Sequence, residues 1–264
     1  MTIGAGLMSD SEKFSAQRIT QIKFWTPNLF TFKTTRPAGL RFTAGQFVRL
    51  GLHKEDGSEV WRAYSFVCAP DEENLEFYSI VAPNGEFSPR LAKMQPGDEL
   101  LVAHTAHGFL TLDRFEDGRD LWLLATGTGL APYISMLRIP EPWHRFERIF
   151  LVHSVRLAAD LTYRDEIEDF ALRNGPETHT ARLRYLATVT RENAPDTLDG
   201  RITQLIENGA LEQAAKATLS PQHSRIMVCG NPEMVRDTRK LLTDMGYAVS
   251  RSATPGPLAL ENQW

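Results

Sequence analysis

Cysteine and long apolar runs are both scarce in this chain. Its 264 residues include 2 cysteines, Cys68 and Cys229, whose spacing fits neither a metal motif nor a disulfide framework. So few cysteines also argue against an iron–sulfur centre. No run of about 18 apolar residues is present, so we expect no membrane-spanning helix. The first residues lack the basic and then apolar pattern of a signal peptide, and we expect a reduced, cytoplasmic protein.

An excess of basic charge is missing as well. The chain has 29 Lys and Arg against 33 Asp and Glu, a net charge of −4, which argues against a nucleic-acid-binding protein. His104 and His107 form an H-x-x-H pattern, but on a predicted strand and loop they would not share a face, and we expect no metal site. Neither a Walker A motif nor a nucleophile elbow is present. The chain instead has the composition of a globular protein, 42% hydrophobic and 23% charged.

The two halves of the chain have different patterns. From residue 16 to about 112, short β-like runs broken by Gly, Pro, Asp and Asn predict an antiparallel barrel or sandwich. From about residue 119, strand-like and helix-like segments alternate and predict a parallel, doubly wound sheet. The continuous apolar run RIFLVHS is typical of a strand buried on both faces of such a sheet. We therefore expect two domains that meet near Asp113–Gly118.

The segment Arg62-Ala63-Tyr64-Ser65 carries the side chains that a flavin dinucleotide needs. If it is extended, Arg62 and Tyr64 project to one face and Ser65 to the other. Arg62 offers a planar bidentate donor to a pyrophosphate, and Tyr64 offers an aromatic surface to a flavin ring. Ser65 could donate a hydrogen bond near the reactive nitrogen of the ring. The alternative is an ordinary strand with an exposed arginine and a packed tyrosine.

A second segment, Tyr78–Val81, extends the flavin-side pattern. It precedes the turn Pro83-Asn84-Gly85, after which Glu86–Arg90 opens a short helical pattern that ends near Met94. A helix N-terminus with Ser88 and its backbone amides would bind a phosphate pair. A plain helix cap at Ser88 is the alternative.

The second half contains a candidate dinucleotide site. In LWLLAT-GTG-LAPY, Gly127 and Gly129 would let the backbone approach a pyrophosphate closely, although any strand-to-helix turn could use such glycines. The next strand ends at Arg156 without the acidic residue that usually holds a ribose 2′-hydroxyl, which favours NADP(H) over NAD(H). Cys229–Pro232 ends a later strand at the edge where open α/β sheets bind ligands. A buried structural role is the alternative for Cys229.

The order of these motifs resembles that of the bacterial ferredoxin (or flavodoxin)–NADP reductases. The chain contains, in sequence, RAYS, FYSIVAPNGEFSPRL, LATGTGLAPY, LVHSVR, VTRE, DGR and CGNPEMVRDT, and the likeness runs from about Arg18 to Trp264. It implies an N-terminal antiparallel six-stranded β-barrel that binds FAD, over residues 12–115. It also implies a C-terminal doubly wound parallel α/β sheet that binds NADP(H), over residues 116–264, with a tail that returns to the flavin.

The resemblance assigns roles to individual residues. Ser65 and Cys229 would be catalytic and would flank the path of hydride transfer. Arg156, Arg191 and Arg201 would form a clamp for the 2′-phosphate; the alternative is that they are solvated surface arginines. The cofactor-binding residues that the resemblance implies are Arg62, Ala63, Tyr64, Ser65, Tyr78, Ser79, Ile80, Val81, Glu86, Phe87, Ser88, Thr128, Val155, Arg156, Thr190, Arg191, Arg201, Asn231, Pro232, Glu233, Asp237, Gln263 and Trp264.

The C-terminal residues have a specific role in this resemblance. The related reductases end in an aromatic residue that packs against FAD, and we assign that role to Trp264. They often have a tyrosine where this chain has Gln263, so only the location of residue 263 carries over. Asp237 would face the adenosine part of NADP.

The expected activity is electron transfer between NADP(H) and a ferredoxin or flavodoxin, with hydride exchange at FAD and one-electron exchange with the carrier. We expect a monomer that binds neither nucleic acid nor membrane. One alternative is an NAD(P)H-dependent flavin reductase or oxygenase-partner reductase of the same superfamily, and another is a non-catalytic dinucleotide-sensing subunit. Because ferredoxins and flavodoxins are typically acidic, the docking surface should be basic. The candidates for that surface are Lys23, Lys33, Arg36, Arg41 and Arg90.

Overall fold

The first half of the chain forms an antiparallel six-stranded barrel. The computed structural model describes residues 13–262. The strands in this half are β1 (Phe14–Phe24), β2 (Leu29–Thr34), β3 (Phe47–His53), β4 (Glu59–Ser65), β5 (Leu75–Ile80) and β6 (Glu99–Ala103). Their order in the sheet is β4-β3-β6-β1-β2-β5. Just beyond β4, Phe66 forms an antiparallel bridge with Phe77 of β5, which brings the two edge strands together and closes the barrel, as predicted.

Aromatic side chains fill the barrel. Phe32 and Phe77 lie with ring centroids 5.2 Å apart, and Phe42 stacks on Phe66 at 3.8 Å. All four side chains are buried, so the closed barrel removes a large apolar area from water. The short helix α1 (Ser88–Leu91) follows β5 and seals one end of the barrel with Leu91.

The second half forms a parallel sheet. Its strands are β7 (Asp120–Thr126), β8 (Arg148–Val155), β9 (Arg182–Val189), β10 (Leu198–Asp199), β11 (Ser224–Gly230) and β12 (Leu258–Asn262). They are ordered β10-β9-β8-β7-β11-β12. The chain moves outward from β7 to β10 and then returns to the other side of β7 as β11. The prediction of a doubly wound sheet is therefore confirmed, and its topological switch point lies between β7 and β11, where open α/β sheets bind ligands.

Six α-helices accompany the parallel sheet in the described part of the chain. They are α2 (Ala131–Leu137), α3 (Glu141–Arg145), α4 (Arg164–Arg173), α5 (Ile202–Glu207), α6 (Ala210–Ala215) and α7 (Pro232–Asp244). None of the helices within residues 13–262 is long and apolar enough to cross a membrane. The same residues contain no cluster of three side chains that could hold a metal ion.

Gly209 adopts φ +74°, which interrupts the helical hydrogen-bond ladder and separates α5 from α6. One expectation about the C-terminal residues was wrong. The residues after Pro257 form β12, a buried edge strand beside β11, where the sequence had suggested only a tail. Hydrogen bonds from β11, distant in sequence, create that strand.

A buried polar cluster joins the two domains. Arg138 of α2 donates from Nη1 to Glu76 Oε2 of β5 at 2.7 Å, and from Nε to Glu166 Oε1 at 2.7 Å. The hydroxyl of Tyr163 donates to Glu76 Oε1 at 3.2 Å and lies 2.7 Å from Thr31 Oγ1. Such a satisfied network constrains geometry, since any displacement would leave a charge buried without its partner. It therefore sets the orientation of the barrel against the sheet.

Candidate active site at the junction of the two domains

One cleft contains residues from both domains. Its volume is about 460 Å³, and it lies across the ends of β4 and β5, the turn before α1, and the end of β12. Its lining residues are Phe47, Arg62, Ala63, Tyr64, Ser65, Tyr78, Ser79, Ile80, Ala82, Gly85, Glu86, Phe87, Ser88, Thr128, Glu261 and Asn262. Of the cofactor-binding residues expected in the barrel, this cleft gathers all except Val81, which packs against the barrel core.

The end of β4 supplies four consecutive residues to the cleft. Arg62 and Ser65 were expected on opposite faces of the strand, yet both line the cleft, because the cleft crosses the strand end rather than following one face. Arg62 is exposed, and its Nη1 donates to the carbonyl of Trp61 at 2.8 Å. Ser65 is buried. The cleft thus combines an exposed cation with a buried hydroxyl a short distance along the chain.

Tyr64 is fixed in orientation. Its hydroxyl lies 2.9 Å from Ser79 Oγ, and its ring packs at 5.6 Å from the ring of Phe87. Burial raises the pKa of Tyr64 to about 12, so that its hydroxyl stays protonated. A ring held by a hydrogen bond and by aromatic neighbours offers a rigid wall to a planar ligand.

The turn between β5 and α1 forms another wall. The alternative considered for Ser88, a plain helix cap, is not observed, because the capping position is Phe87 and no side chain caps this helix. Ser88 is the first helical residue, and its Oγ accepts a hydrogen bond from the amide of Ala82 at 2.9 Å. A Cβ on Gly85 would lie 3.2 Å from Ala82, so the turn is tight. Ser88 therefore stabilises the turn by accepting this hydrogen bond.

The glycine turn after β7 packs directly against the end of β11. A Cβ on Gly129 would lie 2.3 Å from the carbonyl oxygen of Cys229, and one on Gly230 would lie 2.2 Å from Thr126 Oγ1. The Thr126 hydroxyl accepts a hydrogen bond from the amide of Asn231 at 2.9 Å. Only glycine permits this approach. The turn after β7 and the turn after β11 are consequently fixed against each other at the switch point.

Glu261 is a half-buried carboxyl that the sequence did not reveal. It lies on β12 in register with Cys229 of β11 and lines the cleft. Burial raises its pKa to about 7, although a hydrogen bond from the Phe109 backbone opposes the shift. Burial also raises the pKa of the Cys229 thiol, and the carboxyl of Glu261 adds to that effect. Cys229 is completely buried and remains a thiol.

Phe47 and Asn262 were missed along with Glu261. Asn262 and Glu261 escaped because β12 was not predicted, and Phe47 because its side chain reaches the cleft from β3, remote from the recognised motifs. The signal that could have found β12 is the short run LALEN after Pro-Gly-Pro, a strand-like segment that follows turn residues. The expected contacts of Gln263 and Trp264 lie outside the described residues.

The three candidate clamp arginines follow the carboxyl ends of three neighbouring strands. Arg156 follows β8, Arg191 follows β9, and Arg201 lies shortly after β10. The amide of Arg191 donates to the carbonyl of Arg156 at 3.0 Å, and that of Thr190 donates to the carbonyl of Val155 at 3.1 Å. All three arginines are exposed, and none forms an ion pair with another of residues 13–262. One edge of the sheet therefore presents three available cations.

The start of α7 lies beside the glycine turn. Asn231 caps the helix, and its Oδ1 accepts hydrogen bonds from the amides of Glu233 at 2.9 Å and Met234 at 3.3 Å. Pro232 is the first helical residue. Further along, Asp237 is exposed and accepts from Arg236 Nε at 3.0 Å. The Asn231 side chain is thus engaged in structure, and Asp237 stands on the outer surface of the helix.

The basic residues considered for carrier docking are divided among different places. Lys23 and Lys33 line a second cleft of about 540 Å³ together with Trp25 and Tyr163. Arg36 donates to the backbone carbonyls of Leu40, Pro70 and Glu72, so its role is structural. Arg41 is exposed on a loop, and Arg90 is exposed on α1. Of the five residues, Lys23 and Lys33 are the two that share a cleft.

Comparison with known proteins identifies relatives of both domains. The family model of the oxidoreductase FAD-binding domain matches residues 19–108, and that of the oxidoreductase NAD-binding domain matches residues 123–240. The flavodoxin/ferredoxin–NADP reductase of Shigella flexneri is 42% identical over 248 residues, which is 94% of this chain and 97% of that protein. The ferredoxin–NADP reductase of Pseudomonas aeruginosa is 40% identical over 253 residues, 93% of this chain and 95% of that protein.

A solved structure is equally similar. The ferredoxin NADP⁺ reductase of Neisseria gonorrhoeae, crystallised with bound FAD and NADP, superposes with a TM-score of 0.89 at 41% identity. The match covers 96% of this chain and 99% of that one. Identity at this level over nearly the whole chain agrees with the two folds and the shared cleft described above. The chain is a member of the flavodoxin/ferredoxin–NADP reductase family.

Proposed function

We propose that this chain is an FAD-dependent oxidoreductase that transfers electrons between NADP(H) and a ferredoxin or flavodoxin. One observation carries the proposal: Tyr64 and Ser65 of the barrel line the same cleft as Thr128 and Glu261 of the parallel-sheet domain. Hydride transfer requires that donor and acceptor be held in contact, and a cleft shared by the two domains meets that need. The names of the relatives, reductases of ferredoxin or flavodoxin, support the class of carrier.

The barrel side of the cleft has the chemistry that FAD requires. Ile80, 38% exposed, and Tyr64 offer apolar surface to a ring, while Arg62 offers a cation to a pyrophosphate. Ser65 can donate a hydrogen bond at the ring edge. The tight turn that ends at Ser88 presents backbone close to the same cleft. We propose that these residues hold FAD.

The sheet side has the chemistry that NADP(H) requires. We propose that Arg156, Arg191 and Arg201 bind the 2′-phosphate, because they are exposed cations at one sheet edge that form no ion pair within the described part of the chain. The glycine turn at Gly127 and Gly129 would approach the pyrophosphate. The remaining expected contacts, at Val155, Thr190, Asn231, Pro232, Glu233 and Asp237, belong to this same proposal.

Two side chains of the protein, Glu261 and Cys229, contribute a group that can exchange a proton and a group that stays uncharged. When bound, FAD supplies both the two-electron exchange with NADP(H) and the one-electron exchange with the carrier. Glu261 can take up or release a proton at its carboxyl near neutral pH, since burial raises its pKa to about 7. Cys229 keeps its proton and contributes a small, uncharged side chain behind the cleft.

The decisive experiment is a spectrum followed by a carrier assay. We expect the purified protein to show flavin absorbance that bleaches on anaerobic addition of NADPH and returns when oxidised ferredoxin or flavodoxin is added. NADH at the same concentration serves as the control and should react much more slowly. A protein that reduces free flavin with NADH but neither carrier with NADPH would contradict the proposal. It would instead indicate a flavin reductase.

The proposal extends to the domains, the location and the assembly of the protein. The division into residues 12–115 and 116–264 is supported by the two family models, which match residues within each part. A cytoplasmic location is supported by Cys68 and Cys229, which are free and buried, as is usual in reducing compartments. A monomer would show a mass near 29.8 kDa by light scattering, and a multiple of that mass would contradict it.

A further inference from the structure

His153 is a buried histidine next to the glycine turn. It lies on β8 opposite Ala125 of β7, and its side chain is completely buried. Its Nε2 lies 3.2 Å from the carbonyl oxygen of Gly127, and its Nδ1 lies 3.4 Å from the hydroxyl of Tyr185. The imidazole therefore bridges a tyrosine on β9 to the first glycine of the turn.

The surroundings of His153 define its protonation and tautomer. Burial lowers its pKa to about 4, so the ring is neutral at physiological pH. A carbonyl oxygen can only accept a hydrogen bond, so Nε2 carries the proton and donates to Gly127. Nδ1 then accepts from Tyr185, whose pKa is raised by burial and whose hydroxyl stays protonated. The partner at one ring nitrogen thus sets the proton on the other.

This hydrogen bond orients a peptide group of the turn. In a planar trans peptide the carbonyl of Gly127 and the amide of Thr128 point in opposite directions. Because the carbonyl is turned inward to His153, the Thr128 amide is turned the other way, and Thr128 lines the cleft. Gly127 has φ +53°, and a Cβ there would meet no atom within 4 Å. Gly127 begins the short 3-10 helix Gly127–Leu130, and the hydrogen bond from His153 restrains its carbonyl from the side of the sheet.

We propose that His153, kept in one tautomer by Tyr185, is a positioning residue for the pyrophosphate of bound NADP(H). It fixes the Gly127–Thr128 peptide so that its amide faces the ligand without a reorganisation cost on binding. This inference rests on the proposed function, which assigns the glycine turn to the dinucleotide.

The test compares a ligand that has a pyrophosphate with one that lacks it. NADP⁺ and adenosine 2′-monophosphate are titrated calorimetrically into the flavin-loaded protein and its variants. His153→Met removes both hydrogen bonds at similar volume, and we expect it to weaken NADP⁺ about fivefold or more, as loss of one neutral hydrogen bond does. Adenosine 2′-monophosphate should bind unchanged, since it touches only the phosphate clamp. KM for NADPH should rise more than kcat falls.

Two further variants test the same hydrogen bonds if His153→Met folds poorly. His153→Gln places an amide nitrogen near the position of Nε2, and we expect it to recover most of the NADP⁺ affinity. Tyr185→Phe removes only the hydroxyl at Nδ1, and we expect it to weaken NADP⁺ binding alone. As a matched control, Ser135→Ala removes a buried hydrogen bond to the carbonyl of Cys68, 2.6 Å long, and should leave both affinities unchanged.

The possible outcomes are distinct. Equal weakening of both ligands by His153→Met and Tyr185→Phe would overturn the inference, because a general loss of structure would affect the clamp as well. Unchanged NADP⁺ affinity in both variants would overturn it too. If the unsubstituted protein bound no NADP⁺, the proposed function itself would fail. The NADP⁺ titration of the unsubstituted protein shows this before any variant is measured.

Discussion

Cys229 and Glu261 lie opposite each other on the parallel strands β11 and β12, although they are 32 positions apart in the sequence. The pairing brings a carboxyl, whose pKa burial raises to about 7, beside a thiol that is completely buried. It also brings that carboxyl to the cleft shared by the two domains. Glu261 is consequently the described group in the cleft whose charge can change near neutral pH.

Glu261 should make stability depend on pH in a defined window. Its folded pKa is raised, so its stabilising contribution is complete below about pH 4.5 and is lost as the pH rises through about 7. The difference corresponds to at most about 3 kcal/mol. We expect the Tm of Glu261→Gln, relative to the unsubstituted protein, to increase between pH 4.5 and 7.5. Glu207→Gln, at an exposed helix end, is the control; a constant Tm difference for Glu261→Gln would contradict the expectation.

The phosphate clamp can be tested through cofactor preference. Arg156→Ala removes an exposed cation that we propose contacts the 2′-phosphate, a charge-assisted interaction of about 1.5–3 kcal/mol. We expect KM for NADPH to rise roughly tenfold or more, with KM for NADH nearly unchanged. Arg182→Ala is a matched control, because this exposed arginine begins β9 at the opposite end of the sheet. Equal effects on the two cofactors would refute the clamp.

The ion pair between the domains should be essential for stability. Arg138→Met leaves Glu76, whose side chain is 5% exposed, with Lys33 at 3.7 Å as its remaining cationic partner. Loss of one member of a buried pair costs up to about 3–5 kcal/mol, and we expect a lower midpoint in urea. Arg164→Met breaks a longer and more exposed pair with Glu168, 3.8 Å apart, and should cost under about 0.5 kcal/mol. Similar decreases in the free energy of unfolding of the two variants would contradict a larger contribution from the cluster between the domains.

The two glycines of the turn after β7 should respond differently to alanine. Gly129→Ala would place a Cβ 2.3 Å from the carbonyl oxygen of Cys229, so we expect loss of stable folding or of flavin binding. Gly127→Ala meets no atom within 4 Å but has φ +53°, a conformation that costs about 1–2 kcal/mol for alanine. We expect a folded, yellow protein with weaker NADP⁺ binding. Thermal unfolding and NADP⁺ titration separate the cases, and equal destabilisation would contradict the steric account.

Much of the architecture could be predicted from short stretches of sequence. The alternation of strand-like and helix-like runs after Asp120 indicated a doubly wound sheet, and the turn-rich runs before it indicated an antiparallel barrel or sandwich. The motif at Arg62–Ser65 indicated one wall of the cleft. These inferences succeeded because turn residues and hydrophobic periodicity act over a few neighbouring residues.

The remaining features were decided by tertiary structure. A hydrogen-bonded neighbour converts the residues after Pro257 into β12, and that strand brings Glu261 beside Cys229. Strand order likewise places His153 against Gly127 and carries Arg138 to Glu76 across the domain junction. The residues themselves were visible in the sequence, but their partners lie 26 to 62 positions away along the chain. Local sequence patterns were enough for most of the elements and for the chemistry of their side chains. Burial and strand order, which depend on the whole packed chain, decided which groups meet and which of them titrate near neutral pH.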